Sequence, residues 1–128
     1  QAGGLEHMAE VITITLPIPP SANRYWRNWR GRMVVSKEAK DYKERVGWLL
    51  KAEHCQPISG PIDARIKVFR ARRAGDLDNF LKVIFDALKG IAFADDDQII
   101  RIEALRRDDK RNPRVEVELW AESNDATA

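Results

Sequence analysis

Val11-Ile12-Thr13-Ile14-Thr15-Leu16 alternates apolar and polar positions, with β-branched residues through Thr15, and a period of two predicts a half-buried strand. Pro17, Pro19 and Pro20 end it, because proline cannot donate to a ladder. Met33-Val34-Val35 adds a short strand, and Ser36 then caps a helix running to about Glu53, with Tyr42, Val46, Leu49 and Leu50 as its apolar stripe. Past a turn-rich break at Gln56–Pro61, Ile62, Ala64, Ile66 and Val68 alternate with Asp63, Arg65, Lys67 and Phe69, which predicts a strand with one basic face. Phe80, Leu81, Ile84, Phe85 and Leu88 mark the buried face of a second helix, stopped at Gly90. Ile99–Leu105 and Arg114–Trp120 read as a terminal hairpin around a turn from Asp108 to Pro113. The order β-α-β-α-β-β predicts an α+β fold: a single domain with a small mixed sheet and two main helices packed on it.

Bulk properties narrow the class of protein. At 128 residues the chain is one ordinary domain. No apolar run reaches the length of a membrane span, and a single cysteine, Cys55, allows no intrachain disulfide. A soluble protein of a reducing compartment, the cytoplasm, is expected. Residues 1–7 read as a cloning remnant before a natural start at Met8, residues 8–122 as the domain, and 123–128 as a frayed polar tail. The net charge of +2 says little, but its distribution says more. Every charged residue from Arg65 to Gly75 is basic, and every one from Gly90 to Gln98 is acidic.

The chemistry concentrates at Asp76-Leu77-Asp78-Asn79, between the basic strand and the second helix. Two carboxylates so close at a strand-to-helix junction can converge on one hard cation, and Arg65, Lys67, Arg70, Arg72 and Arg73 would draw in a polyanion. Magnesium keeps several waters and needs only a few carboxylates plus substrate phosphate, so Asp76, Asp78 and one of Asp95, Asp96 and Asp97 would suffice for phosphodiester hydrolysis. Lys82 lies one turn beyond Asp78, placed either to contact a phosphate or to pair with Asp78 or Asp86. Asp76 or Asp78 could equally be a helix cap. An EF-hand is disfavoured because Phe80 and Leu81 stand where a ligand and a glycine are needed, and zinc because His54 and Cys55 have no spaced partners. From Asn23 to Arg32, Arg24, Arg27, Arg30 and Arg32 interleave with Tyr25, Trp26 and Trp29. Such a loop either grips phosphates and stacks on bases or folds its aromatics back onto the core.

Three ordered anchors resemble the RusA family of Holliday junction resolvases, found in bacteria and often on prophages. They are Leu16-Pro17-Ile18-Pro19-Pro20-Ser21-Ala22-Asn23-Arg24-Tyr25, then Asp76-Leu77-Asp78-Asn79-Phe80-Leu81-Lys82 with Phe85-Asp86-Ala87-Leu88, then Asp95-Asp96-Asp97-Gln98-Ile99-Ile100. The resemblance spans nearly all of Val11–Trp120. It implies a homodimeric, magnesium-dependent endonuclease, with manganese able to substitute, that cuts four-way DNA junctions by paired symmetric nicks in recombination and repair. The family's essential aspartates fall on Asp76, Asp78 and Asp96, its helix lysine falls on Lys82, and Asp95 matches a frequent further acid. The arginine and aromatic pattern itself puts the expected DNA contacts at Asn23, Arg24, Tyr25, Arg27, Arg30, Arg32, Arg72 and Arg73. The chain departs from some relatives at Gly75, where they carry an arginine before the first aspartate.

Chain geometry constrains the site. A helix from Asn79 to Lys89 is about 16 Å long. To reach Asp76 and Asp78 within one subunit, Gly90–Asp95 must run back beside it, and six extended residues reach at most about 20 Å. That arrangement is preferred here, with donation of Asp96 by a partner subunit as the alternative. A C2 dimer matches the pseudo-twofold symmetry of a four-way junction. The rival functions are a DNA-binding module without catalysis and a nuclease for other branched DNA such as flaps.

Overall fold

The chain forms β1 (Val11–Leu16), β2 (Trp26–Trp29), β3 (Arg32–Val35), α1 (Lys37–Ala52), β4 (Ile62–Arg70), α2 (Leu77–Leu88), a 3-10 turn (Asp96–Gln98), β5 (Ile99–Asp108) and β6 (Arg114–Ala121). This is a computed structural model, and it describes residues 11–20, 26–71 and 77–122; for 26–29 and 32–35 it describes the backbone alone. Ser36 caps α1 as expected, its hydroxyl accepting the Ala39 N–H at 3.1 Å. The helix ends with His54 in the left-handed region (φ 56°), and the Cys55 N–H closes onto the Leu50 carbonyl at 3.0 Å. His54 and Cys55 are thereby helix-end residues.

The four-stranded sheet has the order β1-β6-β4-β5. β4 pairs parallel with β5 and antiparallel with β6, so the sheet is mixed, as expected, and α2 is the crossover of a β4-α2-β5 unit. The expected terminal hairpin is not formed. β5 and β6 are neighbours in sequence, but β4 lies between them, and residues 109–113 step across its end. There the Asp109 N–H donates to the Arg70 carbonyl at 2.7 Å, and the Arg70 guanidinium holds Asp108 at 2.9 Å. Five residues suffice to cross the roughly 10 Å that two strand spacings need. The loop expected from Asn23 to Arg32 is corrected in part. β2 and β3 pair as a separate hairpin, turned by Arg30 and Gly31 at φ 51° and 78°, both positive as a two-residue type I′ turn demands.

One sheet face is covered by the helices. Ile14, Leu16, Ile62, Ile66, Val68, Val115, Val117 and Leu119 pack there with Tyr42, Val46 and Leu50 of α1 and Phe80, Ile84 and Leu88 of α2. The Tyr42 hydroxyl donates to the Pro17 carbonyl at 2.8 Å, which fastens the proline segment to α1. Phe93 is fully buried, on a turn where its carbonyl accepts the Gly90 N–H at 2.7 Å and the Ala92 carbonyl accepts the Ile58 N–H at 2.8 Å. Phe93→Ala is therefore expected to cost about 3–5 kcal/mol of stability, read from urea unfolding; a loss under about 1 kcal/mol would mean this turn is not part of the core.

At the start of β4, Asp63 is buried, and its Oδ1 has no donor among the described residues. The Glu122 carboxyl is pushed above its ordinary range, chiefly by a hydrogen bond to Asp63, then by burial and the Asp63 charge, against Arg101. Two carboxylates can bond only when one carries the proton. A raised folded-state value contributes stability on the acid side, lost as pH rises through it. Glu122→Gln, whose amide donates at every pH, is expected to flatten that loss in unfolding midpoints taken between about pH 4 and 8. An equally steep dependence in the variant would remove the pair as its cause.

Candidate active site and nucleic-acid interface

α2 begins just past the C-terminal end of β4 because Leu77, Phe80, Val83, Ile84, Ala87 and Leu88 give it an apolar face for the core. Asp78 stands in its first turn, where a carboxylate is favoured by the helix dipole. Its carboxylate is exposed, accepts the Asn79 N–H at 3.0 Å through Oδ1, and has no ion-pair partner among the described residues. One oxygen is left for a hard cation, and an oxygen donor is the kind magnesium takes. Asp76 lies outside the described residues. Lys82 is exposed on the next turn. The bland pairing with Asp78 or Asp86 is not made; Asp86 instead meets Lys43 of α1 at 3.6 Å.

The acidic triplet is built around Gln98. Its Oε1 accepts the N–H groups of Ala94 and Asp95 at 2.9 and 3.0 Å, and its Nε2 donates to the carbonyls of Ile58 and Gly60 at 2.8 and 3.0 Å. Asp95 closes a capping box, accepting the Asp97 N–H at 3.0 Å. One Asp95 oxygen is thus committed to holding the turn. Asp96 points outward, its side chain 62% exposed, and meets Lys89 at 3.6 Å.

Asp78 and Asp96 stand at opposite ends of α2. The segment after Leu88 does not run back beside the helix as expected: the N–H groups of Ile91 and Ala92 fold onto the Leu88 carbonyl, and Phe93 pairs with Lys89 and Ile58. This follows from the parallel crossover, which sets the end of α2 and the triplet beside the start of β4, with Ile62 opposite Ile99. About 16 Å of helix separates Asp78 from Lys89, the partner of Asp96. Among the described residues, no three acids, cysteines or histidines are grouped to hold a metal.

The basic strand is less basic than its sequence. Arg65 is held by Glu103 at 3.0 Å and Glu118 at 3.4 Å, bonds that push its guanidinium up, led by the one to Glu103. Arg70 is held by Asp108. Of the expected DNA contacts, Asn23, Arg24, Tyr25, Arg72 and Arg73 lie outside the described residues, Arg27 and Arg32 are seen as strand backbone, and Arg30 is exposed at the β2–β3 turn. Sequence reading overlooked Arg107, Lys110 and Arg111, exposed cations at the β5–β6 link. A turn read only for its backbone hides which of its charges are already spent.

The model of the family described as Endodeoxyribonuclease RusA matches residues 17–120, taking in both acidic segments and Lys82. Crossover junction endodeoxyribonuclease RusA of Escherichia coli (strain K12) is 35% identical over 116 residues, covering 88% of this chain and 97% of that protein. The chain belongs to the RusA family. A second RusA, from Enterobacteria phage 82, is 35% identical over 115 residues, covering 88% of the chain and 96% of the relative. A third, from Escherichia coli O139:H28 (strain E24377A / ETEC), is 41% identical over 92 residues, 69% of the chain and 75% of its own length. This RusA-family chain is therefore a nuclease, a hydrolase of phosphodiester bonds, and no helix among its described residues is long and apolar enough to cross a membrane.

Proposed function

We propose that this chain is a magnesium-dependent, structure-selective endonuclease that resolves four-way DNA junctions by paired symmetric nicks, in recombination and repair. The observation that carries the reading is its match along almost the whole length of relatives named crossover junction endodeoxyribonucleases, one of them from a phage. Asp76, Asp78 and Asp96 would hold the metal, with Asp95 fixing the turn that presents Asp96. Because Asp78 and Asp96 stand at opposite ends of α2, each site draws Asp76 and Asp78 from one subunit and Asp96 from its partner in a C2 homodimer. A twofold axis across α2 brings unlike ends of the helix together twice, which makes two sites for two strands.

Bound magnesium supplies a polarised phosphate and an activated water. The chain's own groups do the rest. Asp78, at the exposed start of α2, anchors the reacting end of the site. Lys82, one turn along and without an ion pair among the described residues, sets its ammonium against charge building on the phosphate. Arg30 and the arginines at 24, 27, 32, 72 and 73 bind the DNA backbone and hold the junction arms. A side-by-side assay on a four-way junction, a flap and a linear duplex tests the substrate. Cleavage of the junction well ahead of the other two is expected, and faster flap cleavage would replace this reading with a flap nuclease.

A further inference from the structure

The β5–β6 link crosses the C-terminal end of β4, the end from which the chain leaves toward Asp76 and Asp78. Its two acids, Asp108 and Asp109, are both engaged by arginines of the fold. Asp108 takes the Arg70 Nε and Nη2 at 3.1 and 2.9 Å. Asp109 takes the Arg111 and Asn112 N–H groups through Oδ1, both at 3.1 Å, and Arg114 Nη1 through Oδ2 at 3.0 Å. The bond from Arg114, ahead of those from the backbone, holds the Asp109 carboxyl below its ordinary range, so it stays an anion. Arg114 is itself stacked over Phe69, 3.9 Å from the ring centre.

Three cations remain outside this network. Arg107, the register partner of Phe69, and Lys110 and Arg111 of the link are exposed, and their side chains make no ion pair among the described residues. The link is thus a braced arch, its acids paired and its three remaining cations exposed, over the end of β4 that leads into α2 and Asp78. We propose that Arg107, Lys110 and Arg111 form a phosphate-gripping arch that binds the backbone of a DNA arm beside the cleavage site. This rests on the reading that the protein acts on branched DNA. An arch already fixed by Asp109 loses little freedom on binding, and contact to phosphates carries no base preference.

The test is a binding titration of a labelled four-way junction without divalent ions, at several salt concentrations. The wild type is compared with the triple variant Arg107→Gln, Lys110→Gln, Arg111→Gln, and with a charge-matched control, Lys37→Gln, Lys40→Gln, Lys51→Gln, on α1. All six side chains are exposed, and Asp109 and Arg114 are untouched, so melting temperatures should stay close. The arch variant is expected to bind about tenfold more weakly, with a salt slope smaller by about two to three, near 0.9 per lost phosphate contact. The control should shift neither by a comparable amount. Unchanged binding by the arch variant, or an equal loss in the control, would overturn the arch. A wild type that binds no branched DNA would instead overturn the functional reading beneath it.

Discussion

Asp78→Asn is expected to slow junction cleavage by about a hundred- to a thousandfold while leaving junction affinity nearly unchanged. The substitution keeps the shape of the side chain and an oxygen able to accept the Asn79 N–H. It removes one negative charge from an exposed helix start, so the fold loses little. A neutral amide is a poor substitute for a carboxylate at a magnesium ion. Binding through phosphate contacts should persist, or strengthen slightly, once a negative charge near the DNA is gone. Single-turnover cleavage and a gel-shift titration on the same preparation separate the two effects. Unchanged cleavage would remove Asp78 from the metal site, and lost binding would make it a structural residue.

Mixing two inactive variants is expected to restore nicking. Homodimers of Asp78→Asn and of Asp96→Asn each carry two damaged sites. After subunit exchange about half the dimers are mixed, and if Asp96 serves its partner's site, each of these has one site with both substitutions and one with neither. About a quarter of all sites then become intact. Those dimers nick a single strand, so the product is a nicked junction rather than two resolved duplexes. Were Asp96 to act within its own subunit, every site in a mixed dimer would carry one substitution, and the mixture would stay as inactive as its parts. The placement of Asp78 and Asp96 at opposite ends of α2 is what predicts restoration.

Much of this was readable from the chain because local rules and tertiary packing agree. The alternation in Val11–Leu16, the Ser36 cap and the stripe of Phe80, Ile84 and Leu88 all became the elements they predicted. Most of the misreadings have one physical source, partners distant in sequence, and one has a local source. Residues 99–105 and 114–120 looked like a hairpin because a short turn joins them, and nothing local reveals that β4 inserts between them. The β2–β3 hairpin was hidden because arginine, rather than asparagine or aspartate, precedes Gly31 at the turn. Arg65 and Arg70 looked available for a polyanion, but Glu103, Glu118 and Asp108 reach them across the sheet. The acidic segments stood out in the sequence as candidates; their separation did not. It follows from β5 lying parallel to β4, which sets the triplet at the far end of the crossover helix.

Metal-dependent, paired nicking of four-way junctions is the activity proposed for this protein. The most direct measurement labels each strand of a four-way junction in turn and maps the breaks made with magnesium and with a chelator. Nicks at symmetric positions in two opposed strands, present with magnesium and absent with the chelator, are the predicted result. Tight junction binding with no strand cut in magnesium or manganese, or cutting that persists in the chelator, would contradict it.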